Sequence, residues 1–66
     1  MFNDFKAYPL KSYRGFGIDK CRWIDSDGNI IKKYPPFYLV SDEDDYIGEE
    51  YDSVEEAKIA IDDWLD

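Results

Sequence analysis

Any chemistry this chain performs must draw on sixteen Asp and Glu side chains, one cysteine and no histidine. Without histidine, the usual acid–base group at neutral pH is missing. Cys21 stands between Lys20 and Arg22, two cations that would lower a thiol pKa if all three faced one way. In a strand, neighbours in sequence point to opposite faces, so the spacing makes Cys21 a structural residue. Asp25-Ser26-Asp27-Gly28-Asn29 has the look of a calcium loop's opening, which needs glycine at its sixth position and a bidentate Glu at its twelfth. Here the glycine comes fourth and the twelfth residue is Pro36, so the segment predicts a hairpin turn. No catalytic residue, metal ligand or cofactor is expected.

The acids are the distinctive feature, through their distribution. Residues 1–40 carry seven Lys/Arg against four Asp/Glu, a balance of +3; residues 41–66 carry Lys58 against twelve acids, a balance of −11. Glu55 and Glu56 begin a helical segment, where the dipole and the cap favour them. Asp62, Asp63 and Asp66 fall at its other end, against the dipole, and Asp42, Glu43, Asp44 and Asp45 repel one another. Stability does not account for these acids. On a helical wheel Ile59 lies off the apolar stripe and between carboxylates, as an apolar anchor with a charged rim would. The candidate partner-binding set is therefore Asp42, Glu43, Asp44, Asp45, Glu49, Glu50, Glu55, Ile59, Asp62, Asp63 and Asp66; plain solubility is the competing explanation.

The elements that must position these acids follow from pattern. Residues 53–65 predict a helix, with Ser53 as N-cap and Glu56 completing a capping box. At about 100° per residue, Val54, Ala57, Ala60, Ile61, Trp64 and Leu65 fall within roughly 140° of arc and form the buried stripe. Residues 13–51 read as antiparallel strands. Phe16 and Ile18 give way to the opposite parity at Cys21 and Trp23, which predicts a bulge or twist. Ser26 to Asn29 turns the chain, a return strand starts at Ile30-Ile31-Lys32-Lys33, and Pro35-Pro36 interrupts it. Phe37 to Val40 is the expected central strand, 41–45 a charged hairpin loop, and Tyr46 to Tyr51 the last strand. Residues 1–12, with Phe2, Phe5, Tyr8, Leu10 and the breaker Pro9, read as an aperiodic arm over the sheet. The expectation is one α+β domain over 1–66, a small antiparallel sheet of about three strands with one C-terminal helix on one face. Twelve aromatic rings exceed what so thin a core needs, so several tyrosines should be exposed or held by a partner.

Gly48 to Lys58, followed by Ile61-Asp62, resembles the ending of many short phage and prophage proteins, in which strands run into an "S-x-E-E-A-K…I-D" helix. The likeness covers about the last twenty residues and mostly encodes a cap and an amphipathic helix. It implies a setting, since small acidic phage proteins are often inhibitors of host defence, of anti-CRISPR or anti-restriction type. The function expected is that of a non-enzymatic inhibitor that competes with DNA or RNA for a basic surface of a host nucleic-acid-binding protein, a CRISPR effector foremost. The alternative is a regulatory or adaptor module that binds a partner, or itself, through exposed aromatics, as a monomer or homodimer. The net charge of −8 makes free nucleic acid and anionic membranes poor partners. A lone cysteine and the lack of a long apolar run suggest a cytoplasmic protein.

Overall fold

The computed structural model describes residues 4–43 and 45–66; Phe2 and Asp44 lie outside them. Four strands, β1 (Asp4–Tyr13), β2 (Phe16–Ile24), β3 (Phe37–Ser41) and β4 (Tyr46–Tyr51), form one antiparallel sheet in the order β1-β2-β3-β4. Helix α1 (Val54–Leu65) follows and packs on one face. The fold is α+β, with one strand more than the pattern indicated.

The additional strand comes from the segment expected to be an arm. Residues 4–13 pair along most of β2, from Asp4 opposite Ile24 to Tyr13 opposite Phe16. Pro9 does not break β1 because β1 is an edge strand, where a missing ladder donor is tolerated. The cost is local: the register slips between Pro9 and Lys11, leaving Leu10 as a bulge that is half exposed. Such a bulge next to a proline also blunts a long open edge against further pairing.

Of the bulge or twist expected at the parity change in β2, the bulge is absent from its pairing with β3. Pairing with β3 runs without a slip from Gly17 opposite Ser41 to Cys21 opposite Phe37. Even and odd positions instead feed separate cores. Ile18 and Val40 lie on the helix face with Ala57 and Ile61, all four fully buried, ringed by Tyr13, Phe16, Tyr38, Ile47, Tyr51 and Val54. On the other face Phe5, Trp23 and Phe37 form a cluster with ring centroids 4.9–5.8 Å apart, two of the three pairs edge-to-face. Aromatic pairs of this geometry stabilise beyond their buried area. This second cluster is where several of the surplus rings go.

The turn at 25–29 is tied by the Asp25 carboxylate, which accepts from the backbone N–H groups of Asp27 and Asn29 at 2.9 and 3.0 Å. The return strand at 30–33 shrinks to a single bridge, Ile30 to Ile24, before the prolines lead into β3. β3 is inner, as expected, and shares that place with β2. In β4 the register slips between the partners of Tyr38 and Val40, and Gly48 sits in the slip with φ +80°.

Ser53 caps α1, its hydroxyl accepting from the Glu56 N–H at 3.1 Å. Of the predicted stripe, Ala57 and Ile61 are fully buried and Val54 and Ala60 partly so. Trp64 and Leu65 do not complete it: they are 43% and 47% exposed. The last helical turn overhangs the sheet, and Trp64 lies over Gly48 and edge-on to Phe16 at 6.0 Å.

Candidate acidic docking site

Two sequence-distant acidic segments border the β1–β2 turn. The first is the β3–β4 loop. Its backbone closes through the Asp42 N–H donating to the Asp45 carbonyl at 3.0 Å, and the Asp45 N–H donates back to the Asp42 carboxylate at 3.3 Å. The second is the end of α1. Between them projects the β1–β2 turn, made possible by Arg14 and Gly15, both at positive φ (52° and 90°). Arg14, Gly15 and Phe16 share an open depression with Asp42, Glu43 and Asp45.

Arg14 binds the second of these segments. Its guanidinium donates to Asp62 at 2.7 Å and reaches Asp66 at 3.5 Å, and the Tyr13 hydroxyl donates to both Asp62 oxygens at 3.0 and 3.1 Å. Arg14, and secondarily Tyr13, hold the Asp62 carboxyl below the usual carboxylate range. The same contacts raise the Tyr13 phenol and the Arg14 guanidinium. The expectation that folding has no use for Asp62 and Asp66 is thus corrected. Both face Arg14, which offsets the unfavourable helix end. No local signal betrays this pairing, because 48 residues separate Arg14 from Asp62.

The remaining candidates divide. Asp63 is exposed on the same helical turn, and Glu43 and Asp45 are exposed on the loop. None of these three has an ion-pair partner among the described residues. Asp44 falls outside the described residues. Glu49 and Glu50 are exposed on β4, and Glu55 is 3.9 Å from Lys58 in the first turns of α1; these stand apart from the Arg14 cluster. Ile59 is 58% exposed, the most open large apolar side chain among those described.

Nearby, the Tyr46 hydroxyl donates to Asp19 at 3.0 Å, and partial burial together with that bond raises the phenol. Cys21 is fully buried, and burial, with Asp19 and Glu50 adding, pushes its thiol up to about 11. A thiol in that state is not a nucleophile at neutral pH. Among the described residues no three of His, Cys, Asp and Glu converge as metal ligands, and no helix is long and apolar enough to cross a membrane. Comparison with protein families, curated proteins and solved structures returned no match.

Proposed function

We infer that this is a non-enzymatic binding protein whose acidic end docks on a basic, nucleic-acid-binding surface of another protein. The observation that carries the reading is that Arg14 binds Asp62 and Asp66 at the end of α1 and lines one depression with Asp42, Glu43 and Asp45. Asp62 and Asp66 spend their charge inward and lock the last turn of α1 to the β1–β2 turn. Asp63 is left to face outward from the turn so locked, and Glu43 and Asp45 are exposed on the neighbouring loop. Carboxylates held in place lose less freedom on binding than carboxylates on a loose tail. They would occupy the Lys and Arg groups that otherwise neutralise phosphates, so a bound partner could not hold its nucleic acid. Inhibition of a CRISPR effector is the particular case suggested by the likeness to short phage proteins.

The test uses purified CRISPR effector–guide complexes and a labelled target duplex. The chain should slow target binding, and the triple variant Glu43→Gln/Asp45→Asn/Asp63→Asn should lose most of that effect. The difference should shrink as salt is raised, because charge-led docking is screened. A triple variant as potent as the parent refutes docking through this end; an inert parent refutes the CRISPR case.

The second reading, a regulatory or adaptor module, draws support from exposed rings at Tyr8, Tyr34 and Trp64. The open sheet face is a weaker place for it than the sequence implied, since Phe5, Trp23 and Phe37 there pack on one another.

A further inference from the structure

The chain has twice as many acids as bases, yet among the described residues only Arg14 and Lys58 form ion pairs. Several of the other bases gather where the helix does not reach. Helix α1 packs chiefly on β2, β3 and β4 and meets β1 near its end, through Tyr13. The helix-side face of β1 is left open, and Lys6, Tyr8 and, past the bulge, Lys11 stand exposed on it. Lys20 and Arg22 of β2 share that face, since they alternate from the buried Ile18.

In register, Lys6 lies opposite Arg22 and Tyr8 opposite Lys20. Like charges directly opposite cost a sheet stability. The Nε of Arg22 is also shut off from solvent without a hydrogen bond. From the helix side the Lys58 ammonium reaches over the Tyr13 ring at 5.4 Å, and it lowers the pKa of neighbouring Lys11. Folding gains nothing from setting base against base when so many acids are at hand. The acids that border this strip are Asp4, whose carboxylate accepts from the Phe5 N–H at 2.8 Å, and Glu55, 3.9 Å from Lys58. Residues on one face recur about every 7 Å along a strand, so the strip runs base, ring, base over about 14 Å. It is two strands or about 10 Å wide, and α1 walls it on one side.

We propose that this strip binds a short run of single-stranded nucleic acid, about three nucleotides long, with phosphates on Lys6, Lys11, Lys20 and Lys58 and a base stacked on Tyr8. An extended single strand presents a phosphate and a flat ring at each step, which matches the alternation of bases and ring on the strip. A duplex is too broad for a strip walled by a helix. An acidic peptide satisfies the charges but leaves the exposed Tyr8 ring without a regular partner. The net charge of −8 makes the molecule as a whole a poor partner for nucleic acid. At about 0.15 M salt, however, charges beyond about 8 Å are largely screened, and the strip's own cations dominate there. None of these residues belongs to the acidic end, so this site and the target docking inferred above stand or fall separately.

The test is fluorescence anisotropy of a labelled oligothymidylate of about ten nucleotides, titrated with the whole chain between about 0.05 and 0.15 M salt. The parent should bind, and log affinity should fall with log salt at a slope of about −3, as four neutralised phosphates require. Lys6→Gln/Lys20→Gln should bind at least about tenfold more weakly and flatten the slope by about 1.4. Tyr8→Ala should bind at least about fivefold more weakly with the slope unchanged, because stacking is lost and no charge is. Each variant is first shown to be folded by its melting curve. Glu43→Gln/Asp45→Asn/Asp63→Asn, which alters the acidic end, should bind the oligonucleotide no more weakly than the parent. A parent that shows no binding up to about millimolar concentration overturns the proposal. So does a Tyr8→Ala variant that binds like the parent, a duplex bound as tightly as the single strand, or oligoglutamate that displaces the oligonucleotide at equal charge.

Discussion

Replacing Gly48 by alanine tests how the end of the helix is fastened to the sheet. Gly48 has φ +80°, a conformation that costs an L-residue about 1–2 kcal/mol. An added Cβ would also lie 2.6 Å from the Tyr51 hydroxyl and 2.8 and 2.9 Å from the rim of the Trp64 ring. Those distances are too short to survive, so the ring must move. Trp64 is already 43% exposed and can swing outward, at the expense of its edge-on contact with Phe16. An aromatic pair of this kind contributes about 0.5–1.5 kcal/mol beyond its area. With some apolar surface returned to water, the total comes to roughly 2–4 kcal/mol. In a domain of this size that lowers the melting temperature by roughly 10–25 °C. Gly28 supplies the control, since its φ is +85° but a Cβ there meets nothing within 4 Å. Gly28→Ala should therefore show the backbone strain alone, about 1–2 kcal/mol. The assay is a urea or thermal melt of the three proteins followed by tryptophan fluorescence. Equal losses for the two variants would refute the argument that Trp64 closes over the β4 slip.

Two further outcomes follow from the sites. Asp62→Asn and Asp63→Asn should part company, the first destabilising because it weakens the Arg14 and Tyr13 contacts, the second neutral or slightly stabilising because it removes charge from a helix C-terminus. Asp62 titrates below its ordinary 3.8 in the folded chain, so its stabilisation is present above that value and is lost as pH falls through the folded one. The parent should thus lose more of its melting temperature than Asp62→Asn between about pH 5 and pH 3, and parallel acid limbs would count against the pairing. Cys21, at about 11 instead of 9.0, carries roughly a hundredfold less thiolate at neutral pH than an ordinary thiol, before its burial is considered. Alkylation of the native protein should be slow and should become fast on unfolding; labelling at the rate of a free thiol would show that Cys21 is not enclosed.

Much of this molecule was determined locally and is legible in the chain. Ser53 caps the helix, Asp25 and Gly28 turn the first long loop, and Phe37 to Val40 extend because β-branched and aromatic side chains fit a pleated surface. The charge segregation is likewise a property of the sequence and does not depend on folding. The N-terminal strand was hidden because pattern alone cannot tell whether Pro9 lies at an edge or inside a sheet, and only strand order settles that. The parity change in β2 was visible, but its meaning was not. A bulge and a two-sided sheet leave the same trace, and only the partners Phe5 and Phe37 distinguish them. The roles of the acids depended most on tertiary structure. Asp62 and Asp63 are adjacent and chemically identical, yet one is bound to Arg14 and Tyr13 while the other faces water. Hydrogen bonds and ion pairs act over a few ångströms, and folding alone brings residues 14 and 62 within that range.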